Sequence, residues 1–196
     1  MERLRIARGD SVLEIGFGGG VALSLVLERT NGEVAGIEVS DAMLVHARRR
    51  FRGELRRERL VLAAASVSSI PFADRRFDRV LSSHTIYFWP EPDKGLQEIR
   101  RVLSPGGRMV IATGCPEDLG RRSYARCGFR IFRDGELEQL LEGAGFSEVV
   151  VEREGHRLFG SAVFATGVRP PDGAPVASAT EPRAGGERDT IGDVPG

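Results

Sequence analysis

One stretch constrains this chain more than any other: Val12-Leu13-Glu14-Ile15-Gly16-Phe17-Gly18-Gly19-Gly20. Four apolar residues surround a single acid and stop at a run of glycines. The apolar part reads as a short, fully buried strand of a parallel sheet. The glycines let the backbone turn sharply and lie against a ligand with no Cβ in between. A loop of this kind at the carboxyl end of a first strand marks an open α/β sheet with a nucleotide-type site.

The pattern after the first strand repeats that logic. Apolar residues at positions 21, 22, 25 and 26 predict a helix from Val21 to Glu28, broken by Asn31-Gly32. Val34 to Val39 reads as a second buried strand ending near Glu38. Ser40 offers an N-cap to a helix running through Ala42, Met43, Val45 and Ala47. Leu60 to Ala64 and Phe77 to Ser83 read as further strands, and Asp93 to Leu103 as a helix stopped by Ser104-Pro105-Gly106-Gly107. Arg108 to Thr113 is a fifth strand, and a helix through Leu137, Leu140 and Leu141 follows. Val149 to Val151 and Leu158 to Ala165 finish as two strands close enough to pair antiparallel. Strand and helix thus alternate five times before a terminal hairpin-like pair, the pattern of a doubly wound α/β sheet with an antiparallel edge.

At 196 residues and 41% hydrophobic content the chain holds one core. The domain is expected to span residues 1–167. From position 168 the chain is Pro, Gly, Ala, Thr and charge, too poor in large apolar residues to offset its ordering entropy, so residues 168–196 are expected to be a disordered tail. With 28 basic and 28 acidic residues there is no global field to draw nucleic acid or an anionic membrane, and a small-molecule substrate is expected. The basic window from Arg48 to Arg59 interleaves no aromatic residue beyond Phe51 and reads as a solvated helix end. Cys115 and Cys127 are too few for a disulfide framework and lack partners for a metal site. With no run of about 20 apolar residues and no signal-peptide pattern, the expected setting is cytoplasmic. Oligomeric state is left open.

The glycine spacing is Gly16-x-Gly18-x-Gly20, not the G-x-G-x-x-G of a dinucleotide site, because position 21 is Val21. Beneath a pyrophosphate, Glu14 would be repelled; beneath a cationic group it is well placed. An acid at the end of the second strand, Glu38, suits the two hydroxyls of a ribose, a task shared by nicotinamide and adenosylmethionine sites. Met43, one turn on, offers an apolar surface to adenine or simply a core contact.

The E-x-G-x-G-x-G pattern resembles motif I of class I S-adenosylmethionine-dependent methyltransferases. Val34 to Ser40 with Met43 resembles the second family motif. Ile70-Pro71-Phe72 with Phe77-Asp78 resembles the "LPF…FD" segment, Leu103 to Arg108 resembles "LKPGG", and Gly145-Phe146 resembles "AGF". The most similar group is the small-molecule methyltransferases of the ubiquinone/menaquinone-biosynthesis and "type 11" kind. The resemblance implies a Rossmann-like sheet of seven strands in the order 3-2-1-4-5-7-6, with S-adenosyl-L-methionine as cofactor. It places Glu14, Gly16, Phe17, Gly18, Gly20, Glu38, Val39, Met43, Ser66, Val67 and Ser83 around that cofactor.

Two positions depart from the family pattern. Ser66 stands where the family commonly has an Asp that bonds the adenine amino group. Only Met1 to Ser11 precede the first strand, too few for the helical segment that usually closes over the substrate and enough for a frayed turn at most. For the chemistry itself, His84 follows the fourth strand and is the candidate general base, or else a pocket-lining residue. Tyr87, Phe88 and Trp89 beside it form a substrate wall, a cation cage or a core cluster. The expected activity is methyl transfer to O, N or C of a small molecule. The alternatives are a methyltransferase-like binding or regulatory module without turnover, and a nicotinamide-dependent oxidoreductase.

Overall fold

A computed structural model describes residues 1–115, 130–156 and 160–173. Cys127, the end of the tail from residue 174 and Leu158 lie outside the described residues. Seven strands form one sheet: β1 (Val12–Ile15), β2 (Val34–Glu38), β3 (Leu60–Ala64), β4 (Phe77–Ser83), β5 (Leu103–Gly114), β6 (Ser147–His156) and β7 (Gly160–Val168). Their order is β3-β2-β1-β4-β5-β7-β6, as the family resemblance implied. The first five strands run parallel, and β7 pairs antiparallel with both β5 and β6. The helices are α1 (Val21–Arg29), α2 (Asp41–Arg50), α3 (Arg52–Arg56), α4 (Pro92–Val102) and α5 (Asp134–Gly143).

All residues of β1 and β2 are buried, because helices cover both faces of a parallel sheet. One core cluster joins Leu13, Ile37, Phe77, Leu96, Ile99 and Leu137; the other joins Val12, Leu23, Val26, Leu44, Ala47 and Phe51. In α1 and α2 the buried stripe only partly follows the residues the sequence singles out, Val26 and Ala47 being common to both. Leu23 and Val26 face the sheet, while Val21 and Leu25 are exposed. Likewise Leu44 and Ala47 are buried, while Met43 and Val45 are exposed. Both helices are apolar on more than one side, so their rotation is set by the sheet and by the turn that starts them. Ser40 caps α2 by accepting the Met43 N–H, as its position indicated.

Several boundaries shift for identifiable reasons. No helix stands between β3 and β4 among the described residues, so the strand–helix alternation is one short. The connection instead is held by α4: Arg101 donates to the carbonyls of Ile70 and Phe72 and to the carboxylates of Asp74 and Glu98. Glu98 in turn accepts the Ile70 N–H, and these bonds to Arg101 hold its carboxyl below the usual range. Strand β5 starts at Leu103 rather than Arg108, because Gly106 and Gly107 exchange backbone hydrogen bonds with Arg169 after β7. Arg169 is buried and donates to the carbonyls of Arg100, Arg101 and Leu103, tying the chain beyond β7 to the end of α4. At the other end, Glu2–Leu4 forms a single 3-10 turn that is anchored rather than frayed. Leu4 is buried and Arg3 bridges Glu152 and Glu154. Among the described residues no helix is long and apolar enough to cross a membrane.

Candidate functional site

The carboxyl ends of β1, β2 and β4 open onto a cavity of about 550 Å3. Its place follows from strand order: β1 leads to α1 on one side, β4 continues away from it on the other, and the crevice between them is the switch point of the sheet. Glu14, Gly16, Phe17, Gly18, Glu38, Val39, Ser66, Val67, Ser83 and His84 all line it. Gly20 and Met43 do not.

The glycine loop takes its shape from positive φ at Gly16, Gly18 and Gly20. At Gly16 glycine is doubly required, since an added Cβ would stand 2.4 Å from Cγ2 of Thr85. Gly20 begins α1 in the left-handed region, and a Cβ there would stand 2.5 Å from the Phe51 ring. Its role is therefore to fit the loop onto α2 rather than to form the cavity wall. Phe17 is buried against Gly36 of β2 and closes the cavity floor.

Two carboxylates dominate the field of this half. Glu14 is 3% exposed, and its Oε2 has no hydrogen-bond partner. Burial, with a further push from the Glu38 charge, drives its carboxyl up to about 8, and the Leu23 N–H at the start of α1 offsets only part of this. Glu38 is organised differently. Its Oε2 accepts the Gly18 N–H at 3.0 Å, and its Oε1 accepts the N–H groups of Val39 and Ser40 at 2.9 and 3.1 Å. A carboxylate has about four acceptor positions, so Glu38 holds the loop and still has capacity for a ligand hydroxyl.

Ser66 stands at the end of β3, where its Oγ accepts the Ser68 N–H at 3.3 Å and shapes the turn that brings Val67 to the wall. Across the cavity, His84 follows β4 with φ 56, a left-handed backbone that turns its side chain out of the strand line. Its N–H is held by the Ala112 carbonyl, and its Nδ1 lies 3.2 Å from Tyr87 Oη. Tyr87 Oη also accepts the Gly114 N–H at the end of β5. Burial lowers the His84 pKa from its ordinary value, which favours the neutral ring.

Residues that pattern reading had not assigned complete the wall. Thr85 Oγ1 bonds Ser82 Oγ at 2.6 Å and accepts the Trp89 Nε1–H at 3.2 Å, fixing the turn that carries His84. Trp89 is buried, whereas Phe88 is 63% exposed at the cavity edge. Tyr87 is a buried core residue, so the aromatic cluster divides its tasks. Val21 and Ala22 also line the cavity, brought there by the same rotation that exposes Leu25. Spacing had drawn attention to positions 87–89, but nothing local distinguishes Thr85. Its role arises from contact with Gly16.

A ligand suited to this cavity is elongated, carries a cation for the bare oxygen of Glu14 and a hydroxyl for Glu38. S-adenosylmethionine, with an ammonium at one end and a ribose in the middle, meets those demands. Among the described residues no group of three or more His, Cys, Asp or Glu side chains could hold a metal ion.

Comparison with known proteins agrees with this geometry. Residues 13–111 match the methyltransferase domain family. The demethylmenaquinone methyltransferase of Clavibacter sepedonicus is 36% identical over 118 residues, covering 59% of this chain and 46% of that protein. The chain spans about half the length of the curated relatives it matches. Among solved structures, the [4+2]-cyclase SpnF superposes with a TM-score of 0.75 at 22% identity, covering 87% of this chain and 78% of that one. Phosphoethanolamine N-methyltransferase 2 of Haemonchus contortus, in complex with S-adenosyl-L-methionine, superposes with a TM-score of 0.72 at 20% identity, covering 84% of this chain and 50% of that one. The fold is thus shared with proteins of differing activity, while the match across β1 to β5 is specific, and the chain belongs to the methyltransferase domain family, whose cofactor is S-adenosylmethionine.

Proposed function

We propose that this protein transfers a methyl group from S-adenosylmethionine to O, N or C of a small-molecule acceptor. The observation that carries the reading is the buried, unpartnered Oε2 of Glu14 on the wall of a cavity that Glu38 and the glycine loop also line. Burial pushes this carboxyl up to about 8, so ionising it at 3% exposure is costly unless a cation completes it. That cost argues for an amino-acid ammonium and against the pyrophosphate of a nicotinamide cofactor.

In this reading Glu14 receives the ammonium, Glu38 the ribose hydroxyls, and the loop from Gly16 to Gly18 lies along the chain between them. Val39 flanks the ribose; Ser66 and Val67 hold the adenine edge, the Ser66 hydroxyl being free to donate while its oxygen accepts from Ser68. Ser83 borders the reacting end. The bound cofactor supplies an electrophilic methyl on sulfur. The protein aligns the acceptor in line with it, excludes water and removes a proton where the acceptor is a hydroxyl or carbon acid. His84 takes that proton. In the tautomer that carries its proton on Nδ1 and donates it to Tyr87 Oη, Nε2 keeps its lone pair, and burial favours the neutral ring. Phe88 and Trp89 form the acceptor wall. These groups all fall within residues 1–167, which we take as the functional domain, in a cytoplasmic setting.

Titration calorimetry with S-adenosylhomocysteine and with NAD tests the cofactor assignment. Binding of the first alone is expected, and binding of NAD alone would overturn it. A radiolabelled-methyl assay over a metabolite library, run on protein shown to bind, then tests turnover. Binding without transfer to any acceptor would favour a regulatory module.

A further inference from the structure

The basic window from Arg48 to Arg59 is not wholly a solvated face: Arg59 donates to the carbonyls of Leu27 and Thr30, and Arg50, although exposed, makes contacts of its own. Arg50 is the last residue of α2, and its guanidinium reaches across to the glycine loop. Nη1 donates to the Gly19 carbonyl at 2.6 Å, and Nη2 donates to Ser24 Oγ at 2.9 Å. Ser24 Oγ donates in turn to the Gly20 carbonyl at 3.2 Å. The guanidinium carbon lies 5.2 Å from the centroid of the Phe51 ring, which occupies the space beside Gly20. Two successive residues at the end of α2 therefore hold two successive residues of the loop, one by charge-assisted hydrogen bonding and one by packing.

The peptide joining Gly19 to Gly20 is planar and trans, so its carbonyl and its N–H point in opposite directions. With the carbonyl drawn toward Arg50, the Gly20 N–H is turned back onto the Phe17 carbonyl at 2.7 Å, which closes the turn. Gly18 and Gly19 have no atom within 4 Å of an added Cβ, so packing does not hold the crest of the loop. Besides that turn bond, the Glu38 carboxylate on the Gly18 N–H and Arg50 on the Gly19 carbonyl restrain it.

We propose that Arg50 is a positioning residue for the cofactor loop: by holding the Gly19 carbonyl on the α2 side, it presets the turn that receives the ligand. The proposal rests on the reading of that loop as the cofactor site. Arg50 touches no ligand and acts through the backbone of Gly19. A lysine at this position would supply a single ammonium nitrogen but not the planar fork that also reaches Ser24.

Calorimetry with S-adenosylhomocysteine on the wild type, Arg50→Ala, Arg50→Lys and Arg48→Ala tests it, together with amide hydrogen exchange of the ligand-free proteins. Arg50→Ala is expected to lose about tenfold in affinity, the scale of one charge-assisted hydrogen bond, and Arg50→Lys to recover part of the loss. Arg48→Ala, at an exposed neighbour on the same helix, is expected to bind as the wild type does. Exchange at Gly18 to Gly20 is expected to speed up in Arg50→Ala while exchange in β1 and β2 stays unchanged. Wild-type affinity in Arg50→Ala would overturn the proposal, as would accelerated exchange throughout the sheet. Failure of the wild type itself to bind would overturn the cofactor reading and the proposal with it, a result distinct from failure of the variant alone.

Discussion

The two halves of the cavity are built on opposite plans. On the β1–β2 side the wall is backbone and buried carboxylate: Glu38 accepts three N–H groups, Glu14 is held almost dry, and the glycines leave room beside them. On the β4 side the wall is side chain, with His84, Thr85, Trp89 and the largely exposed Phe88 arranged on and beside a 3-10 turn, Ile86–Phe88, that Thr85 and Trp89 flank. The first half is preorganised for one charge distribution. The second is held by hydrogen bonds among the side chains of Ser82, His84, Thr85, Tyr87 and Trp89, and presents the apolar surface of Phe88. A constant cofactor beside a variable acceptor calls for that division. Where β1 and β4 end side by side, Gly16 lies closely against Thr85.

The largest effect is expected at that contact. Gly16→Ala combines a left-handed backbone with a Cβ 2.4 Å from Thr85 Cγ2, and should cost roughly 2 to 5 kcal/mol in urea unfolding. Adding Thr85→Ser removes the opposing methyl and should regain the packing part but not the backbone part. Gly18→Ala, with a φ of 48 but open space around it, should cost only about 1 to 2 kcal/mol. Equal costs at positions 16 and 18 would show that the halves are not joined there.

Next in size, Glu38→Ala should weaken S-adenosylhomocysteine binding by about 1 to 3 kcal/mol, because the Gly18 N–H and the ligand hydroxyls lose a shared acceptor. His84→Ala should leave that affinity unchanged and lower turnover on any hydroxyl or carbon-acid acceptor. If His84→Ala weakened cofactor binding as much as Glu38→Ala, the division of labour between the halves would fail.

Glu14 sharpens the same contrast through pH. Its carboxyl sits near 8 in the fold against 4.5 in the open chain, so between those values the folded state binds more protons than the unfolded one. Its contribution to the stability of the ligand-free protein is complete below about pH 4.5 and is lost as pH rises toward about 8. A cationic ligand prefers the ionised form, so affinity should rise over the same interval and level off above about 8, with proton uptake by buffer measured in calorimetry. Glu14→Gln should flatten both profiles. The smallest effect belongs to Met43→Ala, expected to change cofactor affinity by less than about twofold, because Met43 is exposed and apart from the cavity wall.

Most of the fold was legible in the sequence, since the evidence for each strand is local. A run such as Val34 to Glu38 is apolar on both faces and bounded by turn residues, and the glycine spacing specifies a backbone shape without reference to distant contacts. The glycine-loop wall of the cavity followed for the same reason. The helices were less legible. Val21, Ala22, Leu23, Leu25 and Val26 offer two possible stripes, and the sequence does not say which one faces the sheet. Val21 and Ala22 line the cavity, while Met43 is exposed and apart from its wall. The connection from Ser66 to Arg76 gave no sign that Arg101, far along the chain, would hold it.

The sequence by itself determined the strands, their doubly wound arrangement and the glycine loop with an acid beneath it, because buried strands and positive-φ turns are written in neighbouring residues. Tertiary structure alone decided the rotation of α1 and α2, the meeting of Thr85 with Gly16, the grip of Arg50 on Gly19 and the mutual repulsion of Glu14 and Glu38. Each of these depends on where two distant segments come to rest, and that is set by how side chains fill a shared core.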